Sequence, residues 1–110
     1  MEAGLRIRVV TSVYFCATKL EAFAGRGHGD YSSSQDLEDF VSVVDGRAEL
    51  AEEIQHAAYD VRSYIAGKTE ELLKTAEFKD ALPGCLLPDA ASQARVRFLL
   101  RRMEAIAALV

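Results

Sequence analysis

The sequence predicts a mainly α fold, four or five packed helices preceded by one short N-terminal β-strand. From Val13 onward apolar residues recur at helical spacing, and Ser, Asp, Gly and Pro stand where helices would begin and end. Residues 5–10, by contrast, begin by alternating apolar with charged side chains, which puts Leu5, Ile7 and Val9 on one face of an extended strand. No later segment alternates comparably. The strand's backbone donors and acceptors would therefore pair with a second copy or with sequence that this chain lacks.

Val13, Cys16, Leu20 and Phe23 define a first helix over about 12–24, with Thr11 or Ser12 as N-cap. Gly25, Gly27 and Gly29 make further helix costly and favour a loop through Asp30. A second helix, about 34–45, is capped by Ser33 or Ser34, carries Leu37, Phe40, Val41 and Val44 on one stripe, and stops at Asp45 and Gly46. Leu50, Ile54, Ala57, Val61 and Ile65 open a longer pattern over about 47–75. A kink or short break is expected near Gly67, because glycine costs about 1 kcal/mol relative to alanine in a helix. A short helix over about 77–82 precedes Pro83 and Gly84, and Pro88 keeps the connection non-helical. Asp89 then caps a last helix over about 90–109, whose stripe is Val96, Leu99, Leu100, Met103, Ile106 and Val110. One helical domain over residues 1–110 results, with no internal repeat.

The composition fits that architecture. With 110 residues, half of them apolar, a modest core can form without metals or disulfides. A net charge of −4 argues against a general nucleic-acid binder, so no DNA partner is expected and any basic patch must be local. Cys16 and Cys85 lie far apart, outside any CxxC pair, and read as buried thiols in a reducing compartment. Glu2 and the alternating arginines interrupt the apolar stretch that a signal peptide would need, and no run of about 18 apolar residues exists. A cytoplasmic location without membrane contact is expected.

The stretch from Tyr14 to Val44 carries the residues with chemical potential. Lys19 is followed by Leu20, Glu21, Ala22 and Phe23, then Arg26 and Gly27, then Asp36, Leu37, Glu38, Asp39 and Phe40. A K-L-x-A-hydrophobic helix, an R-G turn and a D-x-x-D-hydrophobic helix, in that order, resemble the C-terminal motif region of minimal nucleotidyltransferases of the AbiEii type, within the polymerase-β-like superfamily. The likeness spans roughly thirty residues. The loop between Arg26 and Asp36 is longer than the family pattern, and the chain lacks the family's N-terminal half, with its Gly-Ser phosphate loop and D-x-D strand. The resemblance implies that Lys19 and Arg26 contact nucleotide phosphates, and that Asp36 and Asp39, as the catalytic carboxylates of this portion, orient the lysine or the acceptor. It further implies Mg²⁺ and a nucleoside triphosphate for the complete enzyme alone. This chain by itself would hold no cofactor, because two carboxylates one turn apart make an incomplete metal cage.

Each residue also has a plain structural reading. Lys19 beside Leu20 can be a solvated edge residue that covers apolar surface with its stem. Asp36 and Glu38 in a helix's first turn are favoured by the helix dipole. The glycines around Arg26 follow a helix rather than a strand, unlike a phosphate-cradling loop, and His28 and His56 have no partner at metal-ligand spacing. Arg95, Arg97, Arg101 and Arg102 form the one dense basic cluster and read first as a solvated helix face. Two functions remain open. One is the helical portion of a nucleotidyltransferase-like protein, inactive alone. The other is a non-enzymatic helical module that self-associates, through the N-terminal strand and exposed helix faces, or binds a protein partner.

Overall fold

A computed structural model describes the backbone of residues 2–26, 31, 34–86 and 88–109, and side chains from residue 12 onward except that of Arg26. The chain opens with helix α1, Glu2–Arg26, which at about 1.5 Å per residue is about 37 Å long. That is close to the 40 Å long axis of the molecule. The strand expected over residues 5–10 is therefore replaced by helix, and no strand occurs among the described residues. The reason lies in the sequence pattern: Leu5 and Val9 are also four residues apart and lead by fours into Val13, so the same residues satisfy a helical stripe continuous with Cys16 and Leu20. Extending a helix already nucleated costs far less than pairing a lone strand.

α2, Gln35–Gly46, starts at Ser34, whose Oγ accepts from the backbone N–H of Leu37 at 3.1 Å. It ends where Asp45 and Gly46 placed it, and its stripe of Leu37, Phe40, Val41 and Val44 is buried. α3, Leu50–Gln55, and α4, Tyr59–Leu73, are separate helices broken at residues 56–58, whereas α4 passes through Gly67 without interruption. The expected break near Gly67 is thus misplaced. Helix end groups at the true break find local partners: Arg62 Nη1 donates to Gln55 O at 3.1 Å, and His56 Nδ1–H donates to Glu52 O at 2.8 Å. No Gly or Pro marks this break, so the sequence gives no local signal of it.

α5, Ala76–Ala81, buries Phe78 and runs into a 3-10 turn, Leu82–Cys85. The last predicted helix divides in two. Asp89 caps α6, Ala90–Gln93, its Oδ1 accepting from Ser92 N–H at 2.7 Å, and α7, Val96–Ala107, follows after a turn. Gln93 donates to Pro83 O at 2.9 Å, which ties α6 to the 3-10 turn.

α1 packs on α2, α3 and α4, while α7 closes the other side against α4, α2 and α3. Their apolar stripes form one core, with Cys16, Phe40, Ile54, Ile65, Phe78 and Met103 fully excluded from solvent. Tyr31 bridges the ends of two helices, its ring 5.2 Å from Phe23 of α1 and 6.5 Å from Phe78 of α5. Thr69 is buried within α4, where its hydroxyl donates to Ile65 O at 2.7 Å. Cys16 is buried as expected, and burial followed by the nearby Glu53 carboxylate pushes its thiol up to about 12. Cys85 is half-buried rather than buried. No helix among the described residues is long and apolar enough to cross a membrane.

An alanine Cβ at Gly67 would meet nothing within 4 Å. Gly67→Ala should therefore stabilise the fold by about 0.5–1 kcal/mol in urea unfolding, through helix propensity and reduced freedom of the unfolded chain. Phe40→Ala, which empties a fully buried site, should destabilise it by about 3–5 kcal/mol in the same assay. At neutral pH a thiol-alkylating reagent should modify Cys85 well before Cys16, read by mass spectrometry of the labelled peptides.

Candidate functional site

Lys19, Asp36 and Asp39 meet where α1 crosses the start of α2. Lys19 lies one residue before the buried Leu20, so its stem runs along the α1–α2 seam while its ammonium emerges at the edge. Asp36 and Asp39 are three residues apart on α2, which places both carboxylates on the face toward α1. Lys19 Nζ stands 2.9 Å from Asp39 Oδ2 and 3.4 Å from Asp36 Oδ1. Side-chain exposures of 24% for Lys19, 29% for Asp39 and 12% for Asp36 make this a cluster at the rim of the core.

Two neighbours that the sequence pattern does not single out complete it. Gln35 Nε2 donates to Asp39 Oδ1 at 2.9 Å, so Asp39 is held from both sides. Phe15, one turn before Lys19, carries the ammonium 5.3 Å from its ring centre. The i,i+4 spacings of Gln35 with Asp39 and of Phe15 with Lys19 were the available signals. Arg26 is the last residue of α1, and its side chain lies outside the described residues, as do Gly27, His28, Gly29 and Asp30 of the expected loop.

The electrostatics follow from the geometry. The hydrogen bond and charge of Asp39, with those of Asp36, raise Lys19 above the usual lysine range against a smaller opposing effect of desolvation. The hydrogen bonds from Lys19 and Gln35 hold Asp39 below the usual carboxylate range. The three charges sum to −1, which disfavours an isolated phosphate and is the wrong composition for a divalent cation, since an ammonium already occupies the space between the carboxylates. Among the described residues no group of three or more His, Cys, Asp or Glu side chains could hold a metal ion. Asp36 and Asp39 do not fit a resident Mg²⁺.

No protein-family model, curated protein or solved structure matches this chain. The arrangement of the residues is therefore what bears on function.

The remaining sequence candidates separate. His56 is exposed and engaged with the α3 backbone. Of the four arginines around α7, two do more than face solvent. Arg95 pairs with Asp45 at 2.8 Å, and Arg102 Nη1 donates to the carbonyls of Val44 at 3.0 Å and Asp45 at 2.6 Å, satisfying the C-terminal end of α2. Arg97 and Arg101 are exposed, as expected of a solvated face. A forked pair between Arg47 and Glu53, at 2.8 and 2.6 Å, joins the end of α2 to α3.

The Lys19 clamp should make stability depend on pH at both extremes. The depressed Asp39 contributes stability above its unfolded pKa near 3.8, lost as pH falls through the lower folded value. The raised Lys19 contributes stability below 10.5, lost as pH rises through its higher folded value. Lys19→Met should remove the alkaline dependence and weaken the acid one, of which the Gln35 hydrogen bond to Asp39 keeps a part, leaving a flatter unfolding midpoint against pH.

Proposed function

We propose that this chain is the helical, phosphate-contacting portion of a nucleotidyltransferase-like protein, without transfer activity of its own. The observation that supports this reading is the meeting of Lys19 of α1 with Asp36 and Asp39 of α2, its ammonium within 3.4 Å of both carboxylates. The AbiEii-type resemblance assigns these residues to one site. An ammonium has three N–H donors, and two directed at the carboxylates leave one for a phosphate oxygen. Asp39, steadied by Gln35, holds that donor in a fixed direction at the rim. Because the cluster carries −1 in total, it adds one contact to a larger phosphate-binding surface, to which Arg26 at the end of α1 would belong. In a complete enzyme of that type the metal-binding carboxylates and the reacting groups would lie outside these residues.

A second reading, self-association, has its own support. Tyr14 is 49% and Tyr59 66% exposed, and Tyr14 lines a cleft of about 480 Å³ with Val13, Glu52, His56 and Ala57. The pairing route through an N-terminal strand falls away because that segment is helical. Association through the exposed helix faces should give a dimer in sedimentation velocity at micromolar concentration. A single monomeric species there would contradict it.

Titration of the chain with nucleoside triphosphates, followed by NMR shifts of the backbone amides, tests the main reading. Weak binding should perturb residues around Lys19 and Asp36, and Lys19→Ala should weaken it about tenfold, the scale of one charged hydrogen bond. No pyrophosphate should be released. Nucleotide transfer by the chain alone, or shifts indifferent to Lys19→Ala, would refute the proposal.

A further inference from the structure

α7 carries a second surface that the Lys19 site does not use. Phe98 is 59% exposed on a helix otherwise well packed, and it is flanked by Arg95 and Arg101, three residues to either side. At about 1.5 Å per residue those two arginines stand about 9 Å apart along the helix with the ring between them. The Arg101 guanidinium lies 5.8 Å from the Phe98 ring centre. Among the described residues lining a cleft of about 360 Å³, Phe98 is the one apolar side chain, the others being Asp45, Arg95, Arg101 and Arg102.

We propose that this cleft binds single-stranded nucleic acid, with a base stacked on Phe98 and a neighbouring phosphate against Arg101. A single exposed aromatic face beside guanidiniums is what an unstacked base requires, because stacking supplies affinity without a pocket while the cations track the backbone. A protein anchor would instead need an apolar pocket for its side chain, and one ring does not make one. Two of the lining arginines are engaged with the end of α2: Arg102 donates to the carbonyls of Val44 and Asp45, and Arg95 neutralises Asp45, the one acid among the described lining residues. Arg97 adds a further exposed cation on the same helix. The surface is thus locally basic on a chain of net charge −4, which confines binding to this face and makes it salt-sensitive. A duplex keeps its bases stacked and offers Phe98 nothing.

Fluorescence anisotropy of the full chain with labelled twelve-nucleotide oligouridylate, oligothymidylate and a duplex of equal length tests the proposal. Single strands should bind in preference to the duplex, with a roughly tenfold loss between about 50 and 200 mM salt. Phe98→Ala should weaken binding at least about fivefold, and Arg101→Gln should lower both affinity and salt dependence. Both side chains are exposed, and circular dichroism checks that the variants fold. Binding of either sugar supports the proposal, and comparing the two identifies the source. Absence of binding, affinities unchanged in both variants, or selection of an acidic peptide over the oligonucleotides would overturn it.

Discussion

Val13, Cys16, Leu20 and Phe23 form a buried stripe along α1, and the other helices are arranged by what that stripe needs for cover. α2, α3 and α4 all lie against α1, and α7 completes the core from the far side. Short helices such as α3 and α5 are marginal in isolation, since the first turn of a helix is costly to form. Each persists here because it delivers a buried anchor, Leu50 and Ile54 from α3 and Phe78 from α5, to a core the longer helices have begun. Each such side chain contributes on the order of 1.5–3 kcal/mol of burial.

The Lys19 cluster is a by-product of this packing as much as a site. Lys19 sits beside buried Leu20, and Asp36 precedes buried Leu37, so covering the stripe necessarily brings ammonium and carboxylates to one rim. Packing sets the distance between the helices, and the ion pair sets the direction of the side chains. A solvent-screened pair of this kind at the rim contributes little to stability. Its value lies in a lysine whose orientation is specified. A loose surface lysine would have to give up rotamer freedom before meeting a phosphate, whereas one already held has less to lose.

Charge does a different job at the opposite end of α2. There the backbone carbonyls of Val44 and Asp45 would be left without partners, and Arg102 satisfies both. Arg95 and Arg47 reinforce the same corner through Asp45 and Glu53. The basic cluster around α7 is consequently divided between arginines that hold the fold and arginines that face solvent. Their spacing in sequence does not separate the two groups, because the partners lie about fifty residues away.

Local pattern was enough for much of the fold. The stripes of α2 and α7, the Ser34 and Asp89 caps, the stop at Asp45 and Gly46 and the short helix around Phe78 depend on contacts within a few residues, and all are visible in the sequence. The i and i+3 placement of Asp36 and Asp39 was visible for the same reason. Residues 5–10 misled because their alternation also contains the four-residue repeat of a helix, and only continuity with the rest of α1 separates the two. The break at residues 56–58 and the passage of α4 through Gly67 depended on how α3 and α4 each reach the core, which no propensity records. Tyr31 between Phe23 and Phe78 and Arg102 at the end of α2 are likewise products of three-dimensional packing. The sequence by itself determined which apolar residues turn inward and the limits of helices such as α2 and α5, since those follow from short-range hydrogen bonding and periodicity. Which charges meet was decided by the tertiary structure, because that depends on how far apart in space the packing leaves residues that are distant along the chain.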